Sequence, residues 1–177
     1  EEGTTDDVLD YMIERFRAWY EEENIPVAVF KAVSARKPSR PLDIQHRVHA
    51  VHAFSQLPEA AALAAANKRV SNILGKLEEG HQFHEVSADL LHEPAEKALA
   101  EQLAVMGAEA QGHLAEGRYR EALASLAGLR EPVDAFFDHV MVNAEDQALR
   151  DNRLNLLKLL RDQFLQVADI SQLVVAK

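Results

Sequence analysis

Apolar residues recur every three to four positions along almost the whole chain, and prolines and glycines cut the recurrence into pieces of a few turns. A chain patterned this way buries stripes rather than alternating faces, so it packs helix on helix. In residues 5–23, Val8, Leu9, Met12, Ile13, Phe16, Trp19 and Tyr20 share one face, with Asp10, Glu14 and Arg17 on the other. Thr5-Asp6-Asp7 is a start signal, because a helix N-terminus favours hydrogen-bond acceptors and negative charge. Asn24-Ile25-Pro26 ends that helix, and Pro26 opens another that runs to about Arg36. Lys37-Pro38-Ser39-Arg40-Pro41 is a stiff loop. Helices are expected at 42–56 and 58–75, divided at Leu57-Pro58, followed by a polar loop from Gly80 to about residue 86. Pro94 opens a helix that Gly117 ends, and further helices are expected at 118–129, from Pro132 onward, and at 146–168. Leu173-Val174-Val175 is ambiguous. No segment alternates with period two for long enough to build a sheet. The expected fold is all-α, a single bundle of about seven or eight helices over residues 1–177.

A length of 177 residues suits one domain. There is no cysteine, which excludes disulfides, thiolate metal sites and cysteine nucleophiles and fits a reducing compartment. No run approaches the ~18–20 apolar residues of a membrane span, so a soluble protein is expected. The chain begins at Glu1 and enters a helical pattern almost at once, which reads as a piece of a longer protein.

The net charge of −10 argues against a general nucleic-acid binder, but its distribution is uneven. Residues 1–30 carry nine acids against two bases, and residues 77–113 carry eight against one. Between them, residues 31–76 hold Lys31, Arg36, Lys37, Arg40, Arg47, Lys68, Arg69 and Lys76 against only Asp43 and Glu59. A basic island in an acidic protein can hold a polyanion while the acidic remainder discourages nonspecific adhesion.

Within that island the helical pattern at 58–77 is the most informative. At 100° per residue, Leu63, Ala66, Val70, Ile73, Leu74 and Leu77 fall on one side. Lys68, Asn72 and Lys76 stack on the other with Arg69 alongside, and Ala61 and Ala65 extend the row backwards. Bases and an amide continued by small residues would let a phosphate backbone approach closely, with Asn72 offering an amide edge to a base or sugar. The alternative is a solvated Lys/Asn face whose alanines pack on a neighbouring helix.

Little else could carry chemistry. No glycine-rich phosphate loop, GxSxG, HExxH or EF-hand pattern is present, so no catalytic residue and no cofactor site is expected in this stretch. His46, His49 and His52 recur every three residues, but the outer pair lie roughly 120° apart on a helix and cannot converge on one ion. His81-Gln82-Phe83-His84 lacks the further ligands a metal site needs, so no metal is expected. Arg150 and Arg153 fall toward the apolar side of the last helix, with Asp146 one turn from Arg150. Arginines so placed are either paired structurally or reserved for a secondary RNA contact.

Several stretches resemble the β subunit of bacterial glycyl-tRNA synthetases. They are Ala65-Ala66-Asn67-Lys68-Arg69-Val70-Ser71-Asn72-Ile73-Leu74, the run from Glu131-Pro132-Val133-Asp134 through Asn143-Ala144-Glu145-Asp146, Leu149-Arg150-Asp151-Asn152-Arg153-Leu154 and Ala168-Asp169-Ile170-Ser171. Val8-Leu9-Asp10-Tyr11-Met12 and Arg15-Phe16-Arg17-Ala18-Trp19-Tyr20 are similar to the same family, whereas no resemblance is read in His81 to Glu109. The resemblance implies the C-terminal, DALR-type anticodon-binding domain shared with arginyl-tRNA synthetases, a helical domain of class Ia-like type. It implies as partners the anticodon stem-loop of glycine tRNA, the rest of the β subunit and the α subunit of a cytoplasmic α2β2 enzyme. No DNA and no membrane are among them. ATP and magnesium would be used by the catalytic α subunit. On this basis Arg36, Lys37, Arg40, Arg47, Lys68, Arg69 and Lys76 are expected to hold the stem-loop backbone, with Asn72 near the two cytosines that end glycine anticodons. The rival expectation is a helical docking module within the same enzyme.

Overall fold

A computed structural model describes residues 2–174 as eight α-helices, with no strand among the described residues. They are α1 (Glu2–Glu22), α2 (Val27–Ser34), α3 (Pro41–Ser55), α4 (Ala60–Leu74), α5 (Pro94–Ala115), α6 (Tyr119–Ala127), α7 (Arg130–His139) and α8 (Gln147–Leu165). Short 3-10 turns lie at Ala88–Leu90 and Ile170–Leu173. The second of these takes in Leu173 of the ambiguous C-terminal triplet, of which Val175 lies outside the described residues. No helix among the described residues is long and apolar enough to cross a membrane.

Most helix starts follow the punctuation of the sequence, but α1 begins at Glu2, ahead of the start signal read at Thr5-Asp6-Asp7, and α4 begins at Ala60, two residues past Pro58. Pro41 and Pro94 occupy the first turns of α3 and α5, where a missing N–H costs nothing. Asp146 caps α8, its carboxylate accepting from the amides of Ala148 and Leu149 at 2.8 and 3.1 Å. Pro132 does not open α7, which begins at Arg130. The first-turn amides have no intrahelical partner, so proline is accommodated at the third position as well.

The core is one cluster running from Tyr20 to Ile170, with Phe54, Phe136, Phe164 and leucines from α4, α5, α6 and α8 fully buried. At its centre, residues 152–157 of α8 are all buried, so this helix is enclosed on every side over that stretch. Its polar side chains there each have an assigned task. Arg153 and Glu96 form an ion pair with almost no exposure. Glu96 also accepts from the amides of His92 and Glu93, completing a reciprocal cap at the start of α5. Asn152 and Asn155 fasten the irregular segment between α4 and α5. The amide of His84 donates to Asn155 Oδ1 at 3.0 Å, and that of Ser87 donates to Asn152 Oδ1 at 2.8 Å. Asn152 Nδ2 returns a bond to the Ser87 carbonyl.

The apolar stripe expected on α1 meets the core only at its end. Tyr20 is buried and Phe16 half-buried, but Val8, Met12 and Trp19 are 53%, 37% and 42% exposed. The side chains of Leu9 and Ile13 lie outside the described ones. The reason is geometric: the 21-residue α1 packs chiefly on the short helix α2, which is only eight residues long.

Candidate nucleic-acid interface

On α4 the inward residues Leu63, Ala66, Val70 and Leu74 are buried, while Ala61, Ala65, Lys68, Arg69 and Asn72 are exposed; Lys76, expected on the same helix, is exposed in the turn that follows it, because α4 ends at Leu74 with Gly75 as its cap. The two alanines therefore do not pack on a neighbouring helix. They form a smooth track leading to three cations and an amide. Asn67, which falls between the two faces, is buried and donates to the Leu63 carbonyl at 3.0 Å.

Arg69 is met by Phe137 of α7, a residue of that helix's apolar stripe which the sequence alone does not connect to α4. Its guanidinium lies 4.3 Å from the centre of the Phe137 ring, within range of a cation–π contact. Phe54 is core and Phe83 is half-buried against the Lys158 ammonium, so neither belongs to the α4 face.

The α4 face ends at a cleft of about 960 Å³ between the end of α4 and the start of α8. Ile73, Leu77, Val140 and Leu154 give it apolar walls, and Arg69, Lys76 and Arg150 bring cations to it. Arg150 donates to the Ala144 carbonyl at 3.3 Å and to Gln147 Oε1. Gln147 Nε2 in turn donates to both carboxylate oxygens of Asp151 at 3.1 Å. Arg153 takes no part in the cleft surface. It is spent on Glu96 and on the Met141 carbonyl, 2.7 Å from its Nη1, and so holds the loop that forms one wall.

Arg36, Lys37 and Arg40 are exposed but stand elsewhere, around a concavity of about 490 Å³ shared with Asp43, Arg47, Tyr119 and Gln166. Arg47 is committed within the protein. It pairs with Asp43 at 2.9 Å, donates from Nη1 to the Gln166 and Val167 carbonyls at 2.8 Å each, and lies 4.6 Å from the centre of the Tyr119 ring. A cation at those carbonyls satisfies the end of α8. Burial acts to raise the Asp43 pKa, but the bonds from Tyr119 and Arg47 outweigh it and hold the carboxyl below its ordinary value. The basic island of the sequence is thus two groups in space, at opposite ends of α8. Arg150 and Gln166 are sixteen residues apart, about 24 Å at 1.5 Å per residue.

The histidines gather nowhere. His46 and His49 are exposed on α3, His84 is exposed, and His81 packs edge-on against Phe83 at 4.8 Å. No cluster of three or more potential metal ligands occurs among the described residues.

Comparison with known proteins gives this geometry a context. A family model described as the DALR anticodon binding domain matches residues 63–171. That stretch contains the exposed end of α4, the cleft and all of α8, and leaves out Arg36, Lys37, Arg40 and Arg47. The glycine–tRNA ligase β subunit of Mannheimia succiniciproducens is 55% identical over 172 residues, covering 97% of this chain and 25% of that subunit. Those of Vibrio parahaemolyticus and Haemophilus influenzae strain 86-028NP are 54% and 56% identical, over 94% and 95% of this chain and 24% and 23% of the subunits. The chain spans about a quarter of the length of these relatives.

Proposed function

Since the chain belongs to the DALR anticodon binding domain family, we propose that it is the anticodon-recognising part of a glycine–tRNA ligase β subunit, and that RNA docks along the outer face of α4 and at the cleft beside it. The observation that carries this reading is the exposure of Ala61, Ala65, Lys68, Arg69 and Asn72 along one side of α4, with Lys76 exposed just past its end. Its basic and amide-bearing part falls inside the family-matched stretch. Cations on such a row neutralise phosphates, and the alanines keep the backbone of the row within reach of the sugar–phosphate chain. Arg36, Lys37 and Arg40 form a second, outlying group that meets a different part of the same RNA.

In this reading, aminoacylation with ATP and magnesium takes place on an α subunit, in an α2β2 cytoplasmic enzyme, and this chain contributes recognition only. A second role, docking within the assembly, is favoured by one feature: the exposed apolar stripe of α1, with Val8, Met12 and Trp19 uncovered.

The test is titration of glycine tRNA with the full-length protein over a range of salt. Lys68→Ala/Arg69→Ala is expected to weaken binding by tenfold or more for every anticodon sequence and to lower the salt slope by about two charges' worth. An unchanged affinity and slope would remove the α4 face from the interface.

A further inference from the structure

The cleft between α4 and α8 differs from a phosphate site in its charge. Its three cations are matched by three carboxylates, Glu78, Glu79 and Asp151. A phosphate inside the cleft would gain less from this near-neutral mixture than one on the open α4 face, where Lys68 and the outer sides of Arg69 and Lys76 are reached, whereas the edge of a base that carries both donors and acceptors is served by it. The walls are apolar, as a base face requires, and the mouth carries Met141, an apolar side chain 73% exposed. That exposure is imposed by the fold, because the buried Arg153 grips the Met141 carbonyl and fixes the loop beneath it. A thioether held over an open cleft is a soft, polarisable surface for an aromatic ring.

The polar edge is also prearranged. Ala144 O, Arg150, Gln147 and Asp151 form a relay on the first two turns of α8 in which each group orients the next. Asp151 is half-buried, on a rigid helix, and keeps acceptor capacity beyond the bond it receives from Gln147. Glu78 and Glu79 are exposed on a loop. A fixed carboxylate discriminates between pyrimidines, since it accepts from the exocyclic amine of cytosine and faces a carbonyl oxygen in uracil. Arg150 and Asn143, both lining the cleft, supply donors for the ring nitrogen and carbonyl of cytosine.

We propose that this cleft takes up one extruded cytosine of the bound RNA, with Asp151 accepting from its exocyclic amine and Met141 covering its face. The inference deepens the anticodon-binding reading above and rests on it. Asp151 is then a specificity-determining residue, while Lys68 and Arg69 supply affinity without sequence preference.

The test uses the full-length protein with glycine tRNA transcripts in which each anticodon cytosine is changed singly to uracil. The unaltered protein is expected to bind one of the two changed transcripts about tenfold more weakly. In Asp151→Asn that preference collapses towards one, because an amide can turn to suit either pyrimidine. Met141→Ala, altered at an exposed side chain, weakens all transcripts several-fold and leaves the preference in place. A folded Asp151→Asn that keeps the full preference for cytosine overturns the proposal, as does a Met141→Ala that binds every transcript unchanged. Failure of the unaltered protein to bind any transcript at low salt would instead overturn the anticodon-binding reading itself, so the two failures are distinguishable.

Discussion

At the scale of single residues, the ion pair between Arg153 and Glu96 does more than bury two charges. Glu96 caps α5 through the amides of His92 and Glu93, and Arg153 holds the Met141 loop, so one contact joins three parts of the chain. Removing one member leaves the other charged and unpaired in the core, which costs about 3–5 kcal/mol. Arg153→Met should therefore melt roughly 10 °C below the parent at neutral pH, by calorimetry or circular dichroism. The pair also sets a pH dependence. Burial pushes the Glu96 pKa up, but Arg153 and the two amides outweigh it and hold the carboxyl below its ordinary value of 4.5. A carboxylate depressed in the folded state stabilises above its unfolded pKa, and that stability fades as pH falls through the folded value. The melting temperature of the parent should accordingly drop as pH falls below about 4.5. Glu96→Gln, which is less stable at pH 7, should close on the parent down that limb. Parallel curves at every pH would show that Glu96 does not titrate in this way.

At the scale of elements, the outer face of α4 combines charge with smoothness, and the two can be separated. Ala65→Leu changes no charge and puts a good helix former at an exposed position, so stability should move by less than about 0.5 kcal/mol. Affinity for glycine tRNA should nevertheless fall several-fold, because the added bulk holds the phosphate backbone off Lys68 and Asn72. Anisotropy titration beside a thermal melt checks both halves, and an unchanged affinity would mean that the alanine track lies outside the contact. This face was legible in the sequence because one uninterrupted stripe fixes the angular position of everything opposite it. The α1 stripe was equally plain, but periodicity tells which residues share a face and says nothing of what covers it. Nearness along the chain misled in a different way, since Arg36 and Lys76 belong to one basic island in sequence and to opposite ends of α8 in space. Arg47, expected among the backbone-binding cations, closes the end of α8 instead, and only the three-dimensional position of Gln166 and Val167 reveals it. The ring of Phe137 beneath Arg69 arises from the packing of α4 on α7 and has no local signal in either segment.

At the scale of the whole molecule, a net charge of −10 repels a polyanion in general, so in the proposed reading an RNA is guided by the few exposed cation groups. The two cation groups lie toward opposite ends of α8, about 24 Å apart along its axis, so in the proposed reading an RNA that meets both spans a distance of that order. The segment that crosses α8 between α4 and α5 stands apart from this rigid frame. Of residues 82–87, only His84 and Ser87 donate their amides to a partner among the described residues, and both partners are the side chains of Asn155 and Asn152. In the time domain, those two amides are a clock for the segment: their protons should exchange with solvent far more slowly than their neighbours', yet faster than those of α8. Asn152→Ala should quicken exchange at Ser87 while α8 keeps its protection, as read by exchange NMR. Because the same segment carries His81 into the wall of the cleft, the lifetime of those protons would measure how often that wall stands open.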